Sequence, residues 1–208
     1  NIKPSQLTPI GVVNGVLLRV ENGEFEAATE FMDRTPEPYF EDAPCLLLLR
    51  VQLTLASLIP SGHRSLLFRG IPVDPSKIGF MAGATAQAAL SAAHADLLQL
   101  SGVLSELALD DLKSVVQQMA LWVSLEIDDQ RDQAIAQLSE EVQDPSLTLS
   151  RIGLALSYGV PFDQEALVRT HEAQKPYGGW SDEQRNAEFL VAYHSNNAEK
   201  TSDLLEVH

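Results

Sequence analysis

The stretch Asp128-Asp129-Gln130-Arg131-Asp132-Gln133-Ala134-Ile135-Ala136-Gln137-Leu138, running on to Asp144-Pro145-Ser146, sets the architecture of this chain. Acids open it, as they do in the first turn of a helix, where they meet the positive end of the helix dipole. Ala134 and Leu138 then stand four apart, so they share one helical face. Asp144-Pro145 closes the segment and starts the next helix, since proline suits a first helical position. Helices are expected over about 111–127, 130–143, 146–159, 163–175, 182–195 and 197–207. Gly159-Val160-Pro161 and Gly178-Gly179 punctuate them, and Ser181 with Gln184 fits a capping box.

These helices pair. First members start near 111, 146 and 181, about 35 residues apart. Second members place Ala134, Ala166 and Ala198 at intervals of 32. A period in this range marks helical hairpins, each of which buries its apolar face only by stacking on the next.

The N-terminal part carries a further hairpin over 8–36. Thr8 is a cap, Pro9 a first helical residue, and Val12, Val13, Val16, Leu17 and Val20 an apolar stripe. Asn22-Gly23 ends that helix. A second runs from Glu24 to about Arg34 and buries Phe25, Ala28, Phe31 and Met32, before Thr35-Pro36-Glu37-Pro38 stops it. Residues 43–109 form a helical middle of less regular pattern. Within it, 46–73 has two readings. Asp42 with Pro44 starts a helix and Pro60-Ser61-Gly62 ends it, yet Leu49, Val51, Leu53 and Leu55 alternate with polar residues as in a strand, for which Ser65–Val73 would be the hairpin partner. Four consecutive leucines behind a proline favour the helix, with Gly62 to Lys77 an irregular connection. From Phe80 to Leu109 alanine and leucine dominate, and Gly102 marks a break.

Asn22-Gly23-Glu24-Phe25-Glu26-Ala27-Ala28, continued to Met32, resembles the turn and second helix of a tetratricopeptide-type repeat. Gly23 falls at the turn, Phe25 at the early aromatic position and Ala28 at the small packing position. Asp129 to Pro145 is similar, with Ala134 at the small position, and Glu165-Ala166-Leu167 and Asn197-Ala198-Glu199 are shorter echoes. The family's first-helix aromatic, Leu-Gly pair and Tyr are replaced by Leu121-Trp122 and Leu154–Tyr158, and 36–110 aligns with no repeat. The likeness covers about 120 of the 208 residues. It implies a curved stack whose concave face binds a peptide or a partner helix. The expected fold is therefore all-α, a single helical-repeat domain over 1–208 made of stacked antiparallel hairpins, three of them in 110–208.

Charge narrows the function. The formal net charge is −15, and it is uneven, with 7 bases and 9 acids in residues 1–80 against 7 bases and 20 acids in 81–208. Nucleic acid and anionic membrane surfaces need basic footprints, so neither is an expected partner. A basic protein or peptide is. One cysteine, Cys45, excludes an intramolecular disulfide and a cysteine-rich zinc site. The longest apolar run, Cys45–Ile59, holds Arg50 and is too short for a membrane span. Asn1–Ser5 has no signal-peptide pattern, which with the single cysteine predicts a cytoplasmic location, and the missing initiator Met predicts that the chain was cut from a longer protein or trimmed.

No motif names a reaction. His171-Glu172 begins a zinc-helix pattern, but Lys175 stands where its second histidine belongs. Gly79 and Gly83 lack the Lys-Ser/Thr of a phosphate loop, and Ser61-Gly62-His63 is sequence adjacency, whereas triads assemble in space. No cofactor or metal is expected. The expected function is a non-catalytic protein-interaction module, with Asp128, Asp129, Asp132 and Trp180 as partner-binding candidates. The same acids serve as helix caps, and Trp180 beside Gly178-Gly179 equally closes the gap between hairpins. Two alternatives remain at this level. One is an all-α enzyme with a site around 60–94 from His63, Arg64, Arg69 and His94, and the other is a structural oligomerisation domain.

Overall fold

A computed structural model of the chain describes residues 3–68, 80–140, 145–162 and 192. Among them every regular element is helical. The α-helices are α1 (Pro9–Glu21), α2 (Phe25–Asp33), α3 (Pro38–Asp42), α4 (Cys45–Leu58), α5 (Ala84–Glu106), α6 (Asp110–Leu125), α7 (Arg131–Leu138) and α8 (Pro145–Ser157). Two 3-10 helices, Pro4–Gln6 and Ser61–Phe68, accompany them. The all-α class is thus observed, and among the described residues no helix is long and apolar enough to cross a membrane. The chain divides into two compact units, Asn1–Arg131 and Asp132–His208.

In the first unit, α1 starts where the sequence placed it. Thr8 Oγ1 accepts from the Gly11 N–H at 3.2 Å, with Pro9 in the first turn. At its end Gly23 adopts φ +76°, Glu24 N–H donates to Arg19 O at 2.8 Å and Gly23 N–H to Val20 O at 2.9 Å. This is the Schellman ending, whose left-handed residue costs glycine least. The turn folds α2 back on α1, and Val12, Val16 and Val20 meet Ala28, Phe31 and Met32 in the core. Leu17 stays partly exposed and Phe25 is only half-buried, so the stripe is narrower than the sequence suggested.

The helical reading of 43–59 holds: α4 is a helix from Cys45 to Leu58. It packs on α1, α2, α3, α5 and the Ser61–Phe68 helix, and is therefore buried nearly all round. Its alternation has a physical reason other than a strand. Arg50 pairs with Asp96, Gln52 Nε2 donates to Leu67 O at 2.8 Å, and Thr54 Oγ1 donates to Arg50 O at 2.9 Å. The polar residues are spent on neighbours, so helical burial needs no polar stripe. The start differs from expectation. Pro38–Asp42 forms the short α3, so Asp42 closes that helix instead of capping α4, whose N-cap residue is Pro44.

Helix α5 runs unbroken through Gly102. Ala86, Leu90, Ala93, Leu97, Leu100 and Leu104 form its buried seam, spaced four and three apart, and a single exposed glycine off that seam does not interrupt a helix held by packing. Helix α5 packs on α4 and on α6. The α5–α6 turn is again a Schellman ending, with Leu109 N–H donating to Leu104 O at 3.0 Å and Ala108 N–H to Ser105 O at 3.2 Å. Here the left-handed residue is Ala108, at φ +55°.

In the second unit, α7 and α8 are joined by Arg151, whose Nη1 donates to Gln137 O at 2.8 Å and to Glu140 O at 3.2 Å. A guanidinium at a helix C-terminus satisfies carbonyls that have no intrahelical donor. Ala134 and Leu138 are buried together with Ile152 and Ala155 of α8. The helices expected over 163–175, 182–195 and 197–207 lie outside the described residues apart from Ala192, which is helical and buried.

Candidate functional site

The acidic corner after α6 is built by one glutamine. The last carbonyls of a helix lack partners. Gln87, in the first turn of α5, donates from Nε2 to Glu126 O at 2.9 Å, and its Oε1 accepts from Asp128 N–H at 3.1 Å. A single carboxamide thereby closes α6 and fixes the backbone that leads into Asp128 and Asp129. Both side chains are exposed and, among the described residues, make no ion pair or hydrogen bond. Asp132 stands in the first turn of α7, in the second unit, and is exposed too. Trp180 lies outside the described residues.

Among the described residues, no hydrogen bond or ion pair draws the alternative enzyme residues together. His63 is exposed on the Ser61–Phe68 helix. Arg64 is committed to Glu26, with Nη1 2.7 Å from Oε1, and lies 6.0 Å from the Phe25 ring centroid. The hydrogen bond from Arg64 holds the Glu26 carboxyl below its usual range. His94 is half-buried on α5, and desolvation pushes its pKa below the ordinary histidine value. Neither histidine has a hydrogen-bond or ionic partner among the described residues. Arg69 lies outside them. No group of three or more His, Cys, Asp or Glu side chains among the described residues could hold a metal ion.

The apolar cluster at the α5–α6 turn was not legible in the sequence. Leu107, Leu109, Leu112 and Val115 are all exposed around it. In the sequence they read as apolar residues flanking the acids Asp110-Asp111, a helix boundary like the others. The available signal was density: four large apolar residues within nine positions, interrupted by acids, at a turn. A second unforeseen feature is the junction of α4 and α5. Arg50 donates bidentately to Asp96, Nε to Oδ2 at 2.7 Å and Nη2 to Oδ1 at 2.8 Å. Its Cζ lies 4.2 Å from the Phe40 ring centroid, and Glu37 stands 3.6 Å away.

Comparison with known protein families, with curated proteins and with solved structures finds no match to this chain.

Proposed function

We infer that this chain is a non-catalytic protein-interaction module, an adaptor or scaffold part made of stacked tetratricopeptide-like helical hairpins, which captures a basic peptide or helix of another protein. The observation that carries this reading is the corner after α6. Asp128 and Asp129 are exposed, have no cationic partner among the described residues, and are held on a backbone that Gln87 has fixed. Unpaired carboxylates on a rigid support attract a basic partner without first breaking an internal ion pair. They sit in a C-terminal portion that carries 20 acids against 7 bases. Asp132 and Trp180, both of the second unit, are the further partner-binding candidates, an acid and an aromatic of the kinds that serve such partners. The single cysteine suits a reducing, cytoplasmic setting.

The test is affinity capture from native lysate with the full chain and with a variant carrying Asp128→Lys, Asp129→Lys and Asp132→Lys. A specific partner captured by the former and lost by the latter is the expected result. Capture of nothing but further copies of the chain would refute the reading in favour of a structural oligomerisation domain.

A further inference from the structure

We propose that the apolar turn between α5 and α6 is the docking ridge for a basic amphipathic helix of the partner protein, an inference that rests on the interaction-module reading and says where the helix seats. Leu107, Leu109, Leu112 and Val115 are 58, 42, 55 and 63% exposed. Large apolar side chains scattered singly on a surface need no explanation, but four around one turn do. Leu109, Leu112 and Val115 follow one another at intervals of three, so they form one ridge along the start of α6. Such a ridge fits the groove between side-chain rows on a second helix, which favours a helical occupant over an extended one.

The turn is also set before anything binds. Ala108 is held at φ +55° by the two Schellman hydrogen bonds, which fixes Leu107 and Leu109 on either side of it. A left-handed alanine costs about 1–2 kcal/mol, so this geometry is retained against a backbone penalty.

Charge selects the occupant. Glu106 and Asp110 flank the ridge and are exposed. The nearby cation, Lys113, already donates to Ser105 Oγ at 3.1 Å. A second copy of the chain would bring its own Glu106 and Asp110 against these, and the chain is −15 overall. An anionic bilayer would be repelled in the same way. A helix with leucines on one face and lysines beside them meets both the ridge and its rim.

The probe is a fluorescent synthetic helix of about 18 residues, long enough to be helical, with leucines on one face and flanking lysines. Two controls accompany it: the same composition scrambled so that no apolar face forms, and a version with glutamates for lysines. Binding to the full chain is read by anisotropy. The lysine-flanked helix is expected to bind more tightly than either control. Leu112→Ser with Val115→Ser is expected to weaken it at least about tenfold, the loss of little more than one kcal/mol of anchoring. Leu107→Ser in the turn should weaken it independently. Ile10→Ser with Leu18→Ser, at exposed positions of α1, should leave it unchanged, and circular dichroism verifies that each variant keeps its helices. Equal binding of the scrambled or glutamate-flanked peptide, or no loss in the Leu112/Val115 variant, overturns the proposal. Loss on Asp128→Lys with Asp129→Lys, with the Leu112/Val115 variant neutral, overturns the ridge while leaving the interaction module standing. Self-association abolished by Leu112→Ser with Val115→Ser would overturn the basic helix as occupant and assign the ridge to a second copy.

Discussion

Replacing Asp96 by alanine tests how α4 and α5 are held together. The carboxylate takes two charge-assisted hydrogen bonds from Arg50, at 2.7 and 2.8 Å. The two side chains are only 17 and 29% exposed. Unit charges about 4 Å apart near a protein surface interact by about 4 kcal/mol before desolvation is charged against them. Fully exposed pairs are worth at most about 1 kcal/mol, and breaking a fully buried pair costs about 3–5 kcal/mol. The intermediate exposure places Asp96→Ala at about 2–3 kcal/mol. Removing the carboxylate strands a half-buried guanidinium whose pKa the Asp96 hydrogen bond had raised, leaving it the Phe40 ring at 4.2 Å and the exposed Glu37 carboxylate at 3.6 Å. Urea unfolding is the assay, with the midpoint shifting and the slope unchanged. A joint replacement, Arg50→Met with Asp96→Leu, should recover part of the loss, because the desolvation penalty disappears along with the pair. A loss below about 0.5 kcal/mol would put the pair in the class of exposed surface pairs and show that it does not hold α4 to α5.

Ala108→Gly should stabilise the chain by about 1 kcal/mol, because glycine occupies φ +55° without the penalty of a Cβ, and thermal unfolding reads it directly. Two other glycine sites should respond with opposite signs in the same assay. A Cβ at Gly15 would sit 3.0 Å from Phe31 Cε1, on a buried ring that Arg19 covers at 4.1 Å, so Gly15→Ala should cost about 1–2 kcal/mol. Gly102 has open space around it in mid-helix, so Gly102→Ala should gain about 0.5–1 kcal/mol. His94 should contribute a pH dependence of known sign. Its folded pKa lies below the ordinary 6.5, so the unfolded chain binds more protons between those two values. Stability from this group is complete above the ordinary value and is lost as pH falls from there through the lower folded value, and His94→Gln should remove that part of the slope in urea titrations.

The local signals in the sequence were physical ones that tertiary packing leaves intact. Thr8-Pro9 and Asn22-Gly23 bound α1 because caps act on their own backbone. The punctuation around 110, 128 and 145 marks starts close to those of α6, α7 and α8 for the same reason. What depends on neighbours left no such mark. The alternation in α4 admitted a strand beside the favoured helix, because side-chain pattern does not say that Arg50 and Gln52 find partners on α5 and on the Ser61–Phe68 helix. Gly102 looked like a break because composition omits the seam that holds α5 straight. At the candidate site, the exposure of Asp128, Asp129 and Asp132 followed from their charge. The role of Gln87 could not, since its partners lie about forty residues away in the sequence. Nor could the exposure of Leu107, Leu109, Leu112 and Val115, since apolar residues beside a turn are read as core until the neighbouring surface is known.

The proposed function requires this acidic helical chain to bind a basic partner through charge. It is tested most directly by calorimetric titration of the captured partner into the full chain at low and at high salt, repeated with Asp128→Lys, Asp129→Lys and Asp132→Lys together. Affinity that falls with salt and is lost on charge reversal is the expected result. Affinity unchanged by both salt and reversal would contradict it.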